Sequence, residues 1–326
     1  MLFFENTSLD PWYNLATEEY LFKHLDREVV MLWRSHPSII VGKHQNTLAE
    51  INLEYVRKNN IPVVRRLSGG GTVFHDPGNI NFTFIKNADK ENLVNFQSHT
   101  QPVIDFLQSL GVDARFEGKN DLRVNGLKIS GNAEHIHKDK VLHHGTLLYD
   151  ANLDHLNEAI KAKEGNFESK AVRSIRSEVA NISRFLQYPL SRDEFIMKLK
   201  AWFFQHWPDL ELYTPDQADI RSINRIKEDK YIKWEWNFGW SPVYVFKNQI
   251  LLNDKEISVE LKVRKGRVET ALVIVEGKKL DEKHVLIKGL ENQPHNPDRI
   301  EELLAEINFL GFNSLNDSWT LLKLFF

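Results

Sequence analysis

Two groups of residues in this chain have the types and spacing to do chemistry. The first runs Arg65-Arg66-Leu67-Ser68-Gly69-Gly70-Gly71-Thr72-Val73-Phe74-His75-Asp76. Three consecutive glycines carry no side chains, so another molecule can approach the backbone and accept hydrogen bonds from its N–H groups. The arginines at the entrance bring positive charge and planar donor forks suited to phosphate or carboxylate. The second group centres on Lys128, with Gly126 before it and Ser130-Gly131 after it. Among such small neighbours an ammonium can clamp a carboxylate to a phosphate, through charge-assisted hydrogen bonds of about 1.5–3 kcal/mol each. Each group also has an ordinary reading: a glycine-rich hairpin with surface arginines, and a solvated hairpin lysine.

The flanking residues say what positions them. Ile61 to Val64 are apolar and β-prone, so the glycines fall in a strand–loop–strand. No Gly-Lys-Ser/Thr follows and no helix opens there, which excludes a Walker loop and the dinucleotide fingerprint. A phosphate here would be held by a nest of amides in an antiparallel setting. Around Lys128, Asp121 to Gly131 reads as a hairpin whose Asn125-Gly126 pair favours a type I′ turn. Alternation puts Leu127 and Ile129 on one face and Lys128 on the other. Val141 to Tyr149 continues as a strand.

The remaining pattern predicts an α+β chain. Helices are expected over 11–25, 53–59, 92–110 (kinked or split at Pro102), 193–207 and 216–229. Strands are expected at 2–5, 29–33 and 39–41. From Ser241 the texture changes to three alternating runs, at 243–252, 257–264 and 267–276, then two helical stretches at 280–287 and 298–310. This predicts a first domain over 1–241 and a small second domain over 242–326. The polar stretch 161–172 reads as a mobile loop.

Composition narrows the chemistry. The chain has 326 residues, 42 Lys and Arg against 45 Asp and Glu, and no cysteine. The balance of charge gives no footing for nonspecific nucleic-acid binding. The missing thiols exclude disulfides, thiolate metal sites and a cysteine nucleophile. Met1 to Asp10 lacks a basic region and a long apolar run, and no window approaches the roughly 20 apolar residues of a membrane helix. A cytoplasmic protein without a membrane partner is expected. His135, His137, His143 and His144 are close in sequence, but alternation sends His143 and His144 to opposite faces, and no metal site is expected. Ser68 lacks the Gly-x-Ser-x-Gly elbow of a hydrolase. Trp234 to Trp240 reads as an aromatic core element.

Taken together, these segments resemble the lipoate–protein ligase A family of the biotin/lipoate ligase superfamily. The resemblance rests on the Arg-Arg-x-Ser-Gly-Gly-Gly-x-Val-Phe-His-Asp-x-Gly-Asn run at 65–79, Gly-Lys-Asn-Asp-Leu at 118–122 and Lys128-Ile129-Ser130-Gly131-Asn132-Ala133. His143-His144-Gly145-Thr146-Leu147-Leu148 follows, and Trp234 to Gly239 is similar to forms with an extra C-terminal domain. The resemblance implies a mixed or antiparallel catalytic domain and a two-step reaction. Lipoate and ATP, helped by Mg²⁺, give lipoyl-adenylate, and the lipoyl group then passes to a lysine of the glycine-cleavage H protein or of E2 subunits of 2-oxoacid dehydrogenases. It implies nucleotide contacts by Arg66, Gly71, Thr72, Val73, Phe74, Asn79 and Thr146. It also implies that Lys128 touches both the lipoyl carbonyl and the phosphate, as the catalytic and lipoate-binding residue. Lys119 departs from the family, where arginine is common, and gives up bidentate phosphate contact.

Trp33, Leu67 and Leu147 are expected, by alternation, to supply apolar walls for the acyl arm. The loop 161–172 is expected to order over the adenylate while the small domain moves to admit the acceptor. A monomer is expected. Two other functions remain open at this point: an octanoyl or lipoyl transferase fed with preformed acyl-adenylate, and a noncatalytic acyl-carrier-binding module.

Overall fold

The alternating runs of the first half assemble into two sheets. The computed structural model describes residues 1–88, 94–160, 166–252, 254–311 and 318–326. Its strands before residue 150 are β1 (Leu2–Asn6), β2 (Val29–Trp33), β3 (Ser38–Val41), β4 (Val63–Arg65), β5 (Val73–His75), β6 (Asn79–Asn87), β7 (Arg115–Glu117), β8 (Asp121–Val124), β9 (Leu127–His137) and β10 (Lys140–Leu148). The large sheet has the order Glu211–Leu212, β1, β2, β6, β10, β9, β8, β7. β1 is parallel to both neighbours, and the other pairings are antiparallel. A separate sheet has β3 at its centre, parallel to β4 and antiparallel to β5. The fold is α+β with mixed sheets, as the resemblance implied.

The glycines do lie between two strands, but those strands do not pair with each other. β4 and β5 flank β3, whose Ile39, Ile40 and Val41 are almost fully buried. The loop therefore crosses the end of a strand rather than closing a hairpin.

Two helices cover one face of the large sheet. Helix Arg192–His206 starts at a capping box, in which Ser191 and Glu194 satisfy each other's amides. Helix Phe96–Ser109 stays a single element through Pro102, contrary to the expected kink or break. The Pro102 carbonyl accepts a hydrogen bond from Trp202 Nε1 at 3.0 Å, which ties the two helices together. Residues 92 and 93 of the expected helix lie outside the described residues. Phe82, Phe84, Ile104, Leu107, Leu147, Phe195 and Phe203 share the core beneath these helices.

Gly78 marks a point where two backbones touch. Asp150 N donates to Gly78 O at 3.0 Å, and a Cβ at Gly78 would lie 1.9 Å from Asp150 O. Gly78→Ala is expected to lose about 1–3 kcal/mol or more of stability, measurable by calorimetric melting.

The chain divides into two compact units. One holds residues 1–43, 59–160 and 174–233, and the other holds 44–58, 161–173 and 234–326. In the second unit, strands Tyr244–Leu252, Lys255–Arg264 and Arg267–Val275 form an antiparallel sheet. Its core includes Phe246, Leu261, Leu286, Leu304 and Phe325. Part of the expected loop is ordered here. Phe167–Ser169 pairs with Tyr244–Phe246 because Phe167 buries its ring against Tyr244 and Phe246, at 5.6 and 4.9 Å. Residues 161–165 lie outside the described residues. Helix Val285–Leu290 begins later than its apolar pattern predicts, where His284 caps Leu286 N.

Candidate active site

A register slip in one strand aims the key lysine. On β8 and β9, Leu122 pairs with Ser130 and Arg123 with Lys128, so Ile129 is an extra residue. Such a bulge reverses the alternation beyond it. Ile129 and Ser130 both turn into the core, with no exposed surface. Lys128 consequently shares a face with Gly131, where a Cβ would stand 3.0 Å from Lys128 Nζ. Simple alternation would instead have grouped Lys128 with Ser130 and Asn132. The strand edge is held by Lys128 N donating to Glu178 O and Ala180 N donating to Lys128 O. The ammonium lies 2.8 Å from Asp121 Oδ1, and Arg123 holds the second oxygen at 2.8 Å.

The same face carries Thr146, whose Oγ1 accepts from Gly131 N at 3.1 Å, and Ala133. A Cβ at Gly70 would approach Ala133 Cβ to 3.7 Å, so the glycine loop packs beside this strand. Gly70 also has φ +86°, a conformation that favours glycine.

Arg66 shapes the loop from within. Its Nε donates to Ser68 Oγ at 2.9 Å, Nη1 to Ile40 O at 3.1 Å, and Nη2 to Gly69 O and Gly71 O at 2.6 and 2.7 Å. Its fork closes on the loop and on Ile40 of β3, with the guanidinium beneath the glycines. Arg65 donates to Gly42 O and Lys43 O. Burial lowers both guanidinium pKa values, Arg65 to about 9 with help from Arg66 and Arg66 to about 10 against the pull of Glu18. Both stay cationic at neutral pH. Thr72 N donates to Ser174 Oγ at 2.8 Å. Val73 follows on β5, and Phe74 stacks on His155 at 6.3 Å, on the side of that strand away from His75.

Sequence reading missed the polar chain behind the loop. Ser68 Oγ lies 2.7 Å from His144 Nε2, and His144 Nδ1 faces the Glu18 carboxylate at 3.0 and 3.1 Å. Glu18 in turn accepts from Thr83 Oγ1 at 2.5 Å, and Thr83 accepts from Trp33 Nε1 at 3.1 Å. Since Arg66 donates to Ser68, the serine proton is left for His144 Nε2, and the Nδ1 proton for Glu18. Glu18 and Glu19 within the apolar run Leu15–Phe22 were the available signal, because carboxylates are rarely buried without a task. Trp33 does line this face, 5.4 Å from the His75 ring. Leu147 does not: it faces the helices and belongs to the core beneath them.

Several buried polar atoms near Trp33 have no hydrogen-bond partner among the described residues. They are both ring nitrogens of His75, Asn79 Oδ1 and Asn81 Nδ2. Asn79 Nδ2 donates to Asn81 Oδ1 at 2.8 Å, so the orphaned atoms form one polar ledge. Such atoms cost stability unless a ligand or water meets them.

Burial, then the nearby Arg66 and His144 charges, drive the His75 pKa down to about 3. The unfolded chain therefore binds this proton first, and stability falls as pH drops below about 6.5. His75 alone is expected to withdraw on the order of 2 kcal/mol by about pH 5. His75→Gln should flatten the decline of melting temperature between about pH 7 and pH 5.

Sequence and fold together match one class of known domain. Residues 10–204 match the family model described as the lipoyl protein ligase A/B catalytic domain. The chain is 44% identical over 274 residues to lipoate-protein ligase LplJ of Bacillus subtilis, covering 82% of this chain and 83% of that protein. It is 37% identical to lipoate–protein ligase 1 of Staphylococcus aureus, over 99% of both chains. Among solved structures, a Thermoplasma acidophilum protein with bound lipoic acid superposes with a TM-score of 0.63 at 26% identity, covering 72% of this chain and 98% of that one. A lipoate-protein ligase A bound with ATP gives 0.62 at 26%, covering 73% and 98%. A bipartite ligase studied with its E2 lipoyl domain, also from T. acidophilum, gives 0.63 at 25%, covering 73% and 96%. The chain belongs to the lipoyl protein ligase A/B family and is an enzyme of the ligase class.

Proposed function

We propose that this enzyme activates lipoate with ATP and transfers the lipoyl group to a lysine of acceptor proteins. In the first step a lipoate carboxylate oxygen attacks the α-phosphorus of ATP, the bond to the β-phosphate oxygen breaks, and pyrophosphate leaves. In the second, the acceptor amine attacks the carbonyl of lipoyl-adenylate, the carbonyl–phosphate bond breaks, AMP leaves, and the amine sheds a proton. The mixed anhydride is already activated, so no covalent nucleophile of the enzyme is needed.

One observation carries this reading: the bulge in β9 sets the Lys128 ammonium against Gly131, on the face that holds Thr146 and the glycine loop. Two anions must meet in the first step, and a fixed cation offsets their repulsion. The Gly71 amide, with the Arg66 charge beneath it, suits the phosphate, and Thr72 N can join it only by leaving Ser174 Oγ. The relatives solved with lipoic acid and with ATP support both substrates. The relative studied with its E2 lipoyl domain supports acceptors of that kind.

Mg²⁺ is counted with the nucleotide. The carboxylates around the loop are engaged: Glu18 by His144 and Thr83, Asp76 by the amides of Gly78, Asn79 and Asn152, and Asp121 by Lys128 and Arg123. They do not fit a resident ion, so phosphates of the substrate hold it.

The test is to incubate the pure protein with lipoate and Mg–ATP, measure pyrophosphate, then add apo H protein and weigh it by mass spectrometry. Pyrophosphate release and a lipoyl-sized mass gain are expected. Modification only from supplied lipoyl-adenylate would instead mark a transferase, and neither signal would leave a binding module. Gly131→Ala is expected to lower kcat about 10–100-fold, because the added methyl displaces the lysine tip. Single-turnover kinetics reads this directly.

A further inference from the structure

The opposite face of the large sheet holds a second cluster of titratable groups, which the reaction above does not use. His143 and Glu134 are register partners on β10 and β9, and His99 comes from the first turn of helix Phe96–Ser109. His99 Nδ1 and His143 Nδ1 lie 2.8 and 2.9 Å from the same oxygen, Glu134 Oε1. Donor atoms from the three residues all lie within 4.8 Å of one another. The His143 side chain is fully buried, that of Glu134 is 3% exposed, and that of His99 is 12% exposed at the rim. The rings of Phe82, Phe84 and Phe96 pack around His143 at 6.0, 6.3 and 5.8 Å.

The cluster is short of a partner as it stands, with a carboxylate held inside an aromatic wall. Glu134 Oε2 is buried without a partner among the described residues. A buried anion is costly unless a cation compensates it.

We propose that His99, Glu134 and His143 form a binding site for a divalent transition-metal ion of the zinc class. Ligation uses the Nδ1 lone pair of each ring and leaves the ring proton on Nε2. Two imidazoles and one carboxylate suit Zn²⁺ or Co²⁺, whereas Mg²⁺ and Ca²⁺ prefer all-oxygen sets. The dication neutralises Glu134, and the rim position of His99 gives the ion a route in and a place for a water ligand. The bond set spans β9, β10 and the helix that covers them, so the role is structural. It is independent of the ligase reading, since the site lies on the other face from Lys128 and the glycine loop.

The experiment uses the full-length protein, stripped with a chelator and titrated with CoCl₂ and then ZnCl₂. One Co²⁺ per chain with visible d–d bands, displacement by Zn²⁺, and a raised melting temperature are expected. Mg²⁺ and Ca²⁺ should leave these signals unchanged. Glu134→Gln and His99→Ala should each weaken Co²⁺ binding by at least about 100-fold. The rim variant His99→Ala decides the matter if Glu134→Gln fails to fold. A His135→Ala/His137→Ala control should bind as the parent does. Absence of saturable binding at about millimolar Co²⁺, or parental binding in a folded His99→Ala variant, overturns the proposal and leaves a hydrogen-bonded triad only.

Discussion

Lys128→Ala is expected to slow lipoyl-adenylate formation by about 10²–10³ while leaving the fold intact. The ammonium is the one cation that the β9 bulge delivers to the face of Gly131 and Thr146. Without it, carboxylate and α-phosphate meet with no charge held in place between them. The fold should tolerate the change, because the lysine side chain is 23% exposed and Asp121 keeps its bond to Arg123. Pyrophosphate release under single-turnover conditions measures the rate, and circular dichroism melting measures the fold. Lys128→Arg should recover little, since a fork on a longer arm cannot occupy the space beside Gly131. A Lys128→Ala enzyme within about threefold of the parent rate would sink the proposed chemistry.

Arg66→Lys is expected to hurt both stability and rate, although it keeps the charge. The guanidinium reaches four acceptors in different directions: Ser68 Oγ, Ile40 O, Gly69 O and Gly71 O. A lysine has one nitrogen and three protons, so buried carbonyls lose their partners at about 1–3 kcal/mol each. A loss of about 2–4 kcal/mol in total is expected, seen as a melting temperature several degrees lower. The loop amides then lose their fixed aim, and the rate should fall about 10²-fold. An unchanged melting curve would show that the Arg66 bonds do not hold the loop.

These two residues show how far the linear chain can be read. Arg65-Arg66 and the three glycines stand together in sequence, and their pairing of charge with bare backbone is visible without coordinates. The Asn125-Gly126 turn is likewise local, and both residues take the positive φ that a type I′ turn needs, 51° and 79°. Strand positions follow from alternation because a half-buried strand repeats every two residues. The fold class follows from that texture as well.

Local pattern fails where distant segments decide. The alternation rule would have put Lys128 beside Ser130, and only the pairing with β8 reveals the extra residue that turns it to the other face. Glu18, Ser68 and His144 are far apart in the chain and meet only because helix Pro11–His24, the glycine loop after β4 and strand β10 pack together. Strand Phe167–Ser169 exists because Tyr244 and Phe246 bury its phenylalanine, a partner its own polar neighbours do not advertise. By itself, then, the sequence determined the chemical types available, the turns and the periodic elements, since these depend on neighbours within a few residues. Only the tertiary structure decided which face each side chain serves and which far-off groups share a proton, because register and packing are set by contacts across the whole chain.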